Sequence, residues 1–346
     1  MIQPTEQIRF CTSEDGTRIA YGVCGTGPPL VWVAHWMHHL EHDWDSPVWR
    51  SWLKLLSRRH TLIRYDQSGC GLSDRRRVEF SADKLSEDFL AVVDAAGLSR
   101  FDLFAMTACA RVIVPFAVRH ADRIGKLVLY GTSGRGPLAP GASAAEIEET
   151  ETRLKAIELG WYSDTPAYGQ FFAALHIPDA SHEQAHSYNE LLRLTTSPGN
   201  ATSLLRTFLE LDVRHFLPRI TSDTLVLHTR RDSILPFSDG REVAALIPGA
   251  RFVPLEGRNH ILLSTDPAWQ KLCQALEEFF PSLSESAVQT FDSLTARERD
   301  VVELVAQGMS NGDVAALLGV SEKTVRNSIS IIFSKTGVVS RARLIV

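Results

Sequence analysis

Cysteine and methionine are scarce, with five and four in 346 residues. The cysteines (Cys11, Cys24, Cys70, Cys109 and Cys273) are odd in number, scattered and never in a CxxC pair. That excludes a disulfide framework and a cysteine-built zinc site as organising devices. No uninterrupted apolar run reaches the ~20 residues of a membrane helix. The opening MIQPTEQIRF lacks the basic-then-apolar order of a secretion signal. These absences lead us to expect a cytoplasmic protein with no membrane partner. Nor is there an excess of positive charge: the net of −5 argues against a protein that coats nucleic acid with its whole surface. It leaves room for a small DNA-reading module on an acidic body.

What is present is ordinary globular material, 44% hydrophobic and 22% charged. The length exceeds what one core usually organises, so two domains are expected. The Ser-rich stretch Pro281–Thr290 (PSLSESAVQT) lacks apolar periodicity and marks the seam. We therefore expect a body over residues 1–282, a linker at 283–290 and a tail over 291–346. From Leu283 onward seven basic residues balance seven acidic ones, so the body carries the whole deficit. Within the tail, five basic residues against one acidic follow from Ser321, a modest footprint for phosphate.

The body alternates strand-like and helix-like segments. Apolar runs occur at Leu30–Ala34, Thr61–Tyr65, Asp102–Met106, Lys126–Tyr130, Thr224–His228 and Arg251–Pro254. Amphipathic stretches at Ser81–Ala96, Ala108–Arg119, Ser238–Leu246 and Asp266–Phe280 lie between several of them. This rhythm predicts an α/β fold with a mostly parallel sheet covered on both faces. Residues 134–219 interrupt it with helices and loops and read as a cap inserted above the sheet.

Three segments carry chemistry. Phe101–His120 (FDLFAMTACARVIVPFAVRH) reads as strand, turn and helix, with Ala105-Met106-Thr107-Ala108-Cys109 at the turn. LVLHTRRDSILPF places Asp232 after a strand, and LEGRNHILL places His260 after the next. With YDQSGCGLSD (Tyr65–Asp74), these resemble the α/β-hydrolase fold family, whose order of nucleophile, acid and histidine they keep. The resemblance spans nearly all of residues 1–282 and implies a site of Thr107, Asp232 and His260. It also implies oxyanion donors at the backbone of Trp36 and Ala108, with His35 beside them.

The sequence departs from the family where the chemistry is most exacting. Thr107 stands where the family has serine, and a β-branched residue is disfavoured in the strained elbow conformation. Ala105 and Cys109 replace the elbow glycines, and Ala34-His35-Trp36 stands where His-Gly is usual. Cys109 reads as a small buried residue rather than a displaced nucleophile. Aromatics cluster near the expected pocket, with Trp36, Trp161, Phe171 and Phe172 as candidate lining, so a small, largely apolar ligand is expected. The run HWMHHLEHDW offers His38, His39 and His42. It falls where a loop is expected and lacks a completing carboxylate pair, so no metal and no cofactor are expected.

The tail has a separate grammar. In LTARERDVVELVAQGMSNGDVAALLGVSEKTVRNSISIIFSKTGVVSR, Thr295 and Glu298 form a capping box and Val301, Val302, Leu304 and Val305 an apolar stripe. Gly308 closes that helix. Ser310 opens a second helix carrying Val314, Ala315, Leu317 and Leu318, Gly319 makes the turn, and Ser321 caps a third. Residues 291–346 resemble the LuxR-type (NarL/GerE-like) helix-turn-helix, whose third helix enters the major groove. That resemblance implies that Arg326, Asn327 and Ser330 face bases while Lys323, Thr324 and Lys335 meet phosphates. Ser328 and Thr336 depart from its usual His and Leu. The pairing helix Ser340–Val346 is short, so homodimerisation is expected to rest on the body.

Together the two halves suggest a ligand-responsive, DNA-binding transcriptional regulator sensing a carbonyl-containing small molecule. The alternative is an esterase or lactonase using Thr107, His260 and Asp232 with an accessory DNA-binding tail. A constitutive DNA-binding protein with a filled core is a third reading.

Overall fold

Eight strands form one sheet in the order β1-β2-β4-β3-β5-β6-β7-β8 in a computed structural model. The structure describes residues 6–36, 38–76, 79–163, 165–280, 294–306 and 308–336, without the side chains of 166 and 334–336. β1 (Gln7–Thr12) and β2 (Arg18–Cys24) are antiparallel to each other, and β2 is antiparallel to β4 (Thr61–Asp66). From β4 the sheet is parallel through β3 (Pro29–Trp32), β5 (Phe101–Met106), β6 (Ile124–Tyr130), β7 (Asp223–Thr229) and β8 (Arg251–Leu255). The runs chosen for apolar content are these parallel strands. In β3 to β7 nearly every residue is buried, because helices cover both faces. The leading hairpin carried no such signal: β1 alternates polar and apolar residues at an exposed edge.

Val31, Leu103, Ala105, Leu127, Leu129 and Val226 form the sheet's part of the main core. α1 (Arg50–Ser57), α2 (Ala82–Ala95), α3 (Ala110–Arg119), α8 (Phe237–Leu246) and α9 (Trp269–Phe279) accompany the strands. The insertion is helical as expected. It comprises α4 (Ala144–Gly160), α5 (Pro166–His176), α6 (His182–Thr195) and α7 (Pro198–Leu209). Three of these open at serine caps, Ser143, Ser181 and Ser197, whose hydroxyls accept otherwise unpaired backbone N–H groups. α7 packs against the turn that follows β5, which brings the cap over the ends of the parallel strands.

The chain divides into two compact units, Met1–Phe279 and Phe280–Val346. The expected linker at 283–290 lies outside the described residues. In the second unit, α10 (Ala296–Ala306), α11 (Asn311–Leu318) and α12 (Glu322–Thr336) enclose a core that includes Leu294, Val301, Val305, Val314, Val325 and Ile332. Leu304 and Leu318 pack at its margin. Leu317, expected to join them, is 62% exposed. α11 is two turns long and turns only Val314 and Ala315 fully inward. The expected helix Ser340–Val346 lies outside the described residues.

Candidate functional site

β5 ends at Met106, and the next residue, Thr107, has φ +59°, the one positive φ outside glycine among the described residues. A β-branched residue there is a genuine outlier, costing on the order of 1–3 kcal/mol and persisting only because its surroundings enforce it. A 3-10 turn, Thr107–Cys109, then leads into α3. The elbow is therefore built without glycine at either neighbouring position. Cys109 Sγ donates to Met106 O at 2.7 Å, and burial pushes its thiol up to about 11. It stays protonated at neutral pH and packs as a small residue.

Asp232 follows β7 and His260 follows β8. The two side chains meet at 2.8 Å between His260 Nδ1 and Asp232 Oδ2. Burial pushes the Asp232 carboxyl up, but the imidazole and the N–H groups of Leu235 and Ile234 outweigh it and hold the group below its ordinary value. Those two N–H groups reach Oδ1 at 2.9 and 2.8 Å. Gly131, at φ +54° just past β6, takes a backbone conformation that favours glycine beside the His260 ring. Thr107 Oγ1 lies 3.8 Å from Cys109 Sγ, and among the described residues no hydrogen bond joins it to His260.

Thr107, His260, Ala108, His35 and Trp36 all line one cavity of about 110 Å³. Trp161, Phe171 and Phe172, expected in the same wall, do not line it. Trp161 donates to Thr196 O at 3.0 Å and stands behind Trp36, with ring centroids 6.0 Å apart. Phe172 packs edge-on to Trp161, and Phe171 faces a separate groove beside Ala145 and Glu149. The insertion's wall is instead Leu154, Ile157, Leu175, Leu205 and Leu209, together with His176 and Tyr188. His176 stacks on Trp36 at 5.9 Å. Burial, reinforced by His260, pushes its imidazole down to about 3. His35 is likewise held well below the ordinary range, first by burial and then by His38. Both rings are neutral at physiological pH.

Arg111 is the residue that sequence reasoning passed over. It is the second residue of α3, is 1% exposed and lines the cavity. Its signal was position alone: it falls four residues beyond Thr107, at the start of the helix that follows the elbow.

The histidine run builds a charge network, and its rings already have neighbours. His38 Nδ1 sits between Asp43 (3.6 Å) and Asp66 (3.7 Å), next to the buried Arg64–Asp43 and Arg64–Glu6 ion pairs. His39, Glu41 and His42 bring ligand atoms close enough for a cation. However, His39 Nδ1 accepts from Glu41 N at 3.2 Å, and the Arg75 guanidinium approaches its Nε2 at 3.5 Å. A three-donor set with a guanidinium at one donor fits a metal poorly.

In the second unit, α12 separates its faces cleanly. Val325, Ile329 and Ile332 are buried, while Ser321, Lys323, Thr324, Arg326, Asn327 and Ser330 are exposed. Thr324 N donates to Ser321 Oγ at 3.1 Å, the expected cap. Arg326 lies 3.5 Å from Glu322, an exposed pair. The Lys335 side chain lies outside the described residues.

Comparison with known proteins agrees with both units. The family described as "alpha/beta hydrolase fold" matches residues 37–267, and "Bacterial regulatory proteins, luxR family" matches residues 292–346. A non-heme haloperoxidase of Rhodococcus erythropolis is 26% identical over 260 residues, covering 72% of this chain and 92% of that protein. A hydrolase from Pseudomonas aeruginosa superposes with a TM-score of 0.65 at 25% identity, over 80% of this chain and 99% of that one. A Mycobacterium bovis protein described as an HTH-type transcriptional regulator is 47% identical over 53 residues. That match is 15% of this chain and 6% of that protein, so the likeness is confined to the tail. The chain thus belongs to the alpha/beta hydrolase fold family and carries at its C-terminal end a DNA-binding domain of the LuxR type.

Proposed function

We propose that this protein is a one-component transcriptional regulator whose hydrolase-like unit is a receptor. A small, largely apolar molecule bearing a carbonyl group occupies the cavity, and its differential affinity for two states of the body alters DNA binding by the tail. Arg326, Asn327 and Ser330 read bases, while Lys323, Thr324 and Lys335 hold phosphates. The protein acts in the cytoplasm as a homodimer on paired half-sites. The observation that carries the receptor reading is the state of Thr107. The cavity and the His260–Asp232 pair are both kept, yet the residue at the elbow is β-branched and its hydroxyl is not hydrogen-bonded to the imidazole. In this reading Thr107 and His260 are ligand-bonding groups, and Asp232 orients the ring.

A second reading draws on the intact dyad and the hydrolase relatives. Thr107 Oγ1 would attack an ester or lactone carbonyl, His260 Nε2 would take the hydroxyl proton, and the N–H groups of Trp36 and Ala108 would receive the oxyanion. One experiment separates them. Full-length protein is titrated onto its own upstream DNA with and without a panel of short esters and lactones, and hydrolysis is followed in parallel. Ligand-dependent DNA affinity without turnover supports the receptor. Brisk hydrolysis, abolished by Thr107→Ala, with indifference to DNA would overturn it.

A further inference from the structure

Among the described residues, the cavity wall contains two guanidinium groups, Arg111 and Arg153, and no carboxylate. Arg153 stands at the rim, 38% exposed and paired with Glu149. Arg111 is different. Its Nε donates to Phe208 O at 3.0 Å and its Nη1 to Ser133 Oγ at 2.7 Å, while its buried Nη2 has no hydrogen-bond partner among the described residues. No described carboxylate lies within ion-pair distance of it, and Asp239 acts on it only through its field. Burial lowers its pKa to about 10, which leaves it charged at neutral pH. Removing a guanidinium from water without a counter-ion is costly, and a chain that only needed to join α7 to the end of β6 could do so with a neutral amide.

We propose that the ligand of this cavity is a small apolar carboxylate, one oxygen of which accepts a hydrogen bond from Arg111 Nη2 while its hydrocarbon body fills the leucine- and isoleucine-lined space. This rests on the reading of the cavity as a ligand site and narrows it: the molecule recognised is a free acid, the kind of product that ester or lactone hydrolysis releases. The neutral rings of His35 and His176 offer no competing charge. Thr107 lines the same cavity and offers its hydroxyl to the other carboxylate oxygen. An ester or amide of the same shape would leave the guanidinium uncompensated.

The test uses full-length protein and straight-chain acids of four to eight carbons, each against its primary amide, by titration calorimetry. For at least one chain length the acid should bind at least about tenfold more tightly than the amide. Arg111→Gln should bring the two within about twofold, and Arg111→Lys should retain part of the preference. Amides binding as well as acids, no acid binding at millimolar concentration, or an undiminished preference in a folded Arg111→Gln protein would each overturn the proposal. Should Arg111→Gln fail to fold, the wild-type comparison and Arg111→Lys decide. Binding is read without DNA, so the two readings fail separately. An acid held through Arg111 that never changes DNA affinity sinks the receptor reading alone. A DNA response to neutral esters only sinks this one.

Discussion

Replacing His176 by phenylalanine should flatten the acid dependence of stability in the hydrolase-like unit. Burial, with help from His260, holds the native imidazole near pKa 3, against about 6.5 when unfolded. The native state therefore binds fewer protons. The stability this confers is complete above pH 6.5 and is lost progressively as pH falls from there toward 3. At pH 5.5 an unfolded histidine is protonated about ten to one, so the loss between pH 7.5 and 5.5 is on the order of 1 kcal/mol. His39, pushed down by burial to about 4, and His35, held well below its ordinary value by burial, act in the same direction. The Asp66 carboxyl, pushed up by burial to about 6, works the other way. It gains a proton in the native state first and returns part of that loss at pH 5.5. The remaining groups are common to both proteins, so His176→Phe should lose less stability than the wild type over that interval, by on the order of 1 kcal/mol. The ring stacked on Trp36 is retained, so the variant changes titration more than packing. Urea unfolding at the two pH values reads the difference, and all seven tryptophans lie before Phe280, so their fluorescence reports this unit alone. An unchanged pH difference in the variant would refute the assignment of a buried neutral imidazole.

Three further outcomes are expected. Thr107→Asn, which suits a left-handed backbone better than a β-branched residue, should stabilise by ~1 kcal/mol and raise Tm by about 2–4 °C in calorimetry; an equal or lower Tm would mean that the elbow stores no strain. Arg326→Ala should weaken specific DNA binding by ~1–3 kcal/mol and relax discrimination at one base position, with unchanged folding. Equal discrimination in competition assays would move Arg326 off the base edge. Cys109 should resist iodoacetamide in the native protein at pH 7.5 and react once unfolded, since its thiol is buried and protonated. Rapid native labelling would show a thiolate at the elbow.

The sheet was legible wherever strands are buried on both faces, because Leu103, Phe104 and Ala105 in β5 or Leu225, Val226 and Leu227 in β7 have to be apolar to sit there. Asp232 and His260 were legible because each follows its strand in the family's order, and the structure brings them together. The Thr295–Glu298 capping box and the Ser321 cap of the tail are local and needed no tertiary knowledge. What escaped was long-range. Trp161 and Phe172 are as aromatic as Trp36, and only the packing of the cap decides which ring faces the cavity. Arg111 looked like an ordinary helical arginine until Phe208, nearly a hundred residues later in the chain, closed over it.

Arg111 also bears on how quickly and how selectively the cavity can respond. Two of its three nitrogens are fixed, one to the last turn of α7 and one to Ser133, three residues past β6, so the side chain has already given up its rotamers in the folded protein. For an arginine that freedom is worth about 2 kcal/mol, a cost that most surface arginines must meet at the moment of encounter. A guest that reaches this guanidinium meets a group already held in place. Selectivity then depends on where that rigid donor stands relative to the hydrocarbon wall, which favours one length of molecule over its homologues.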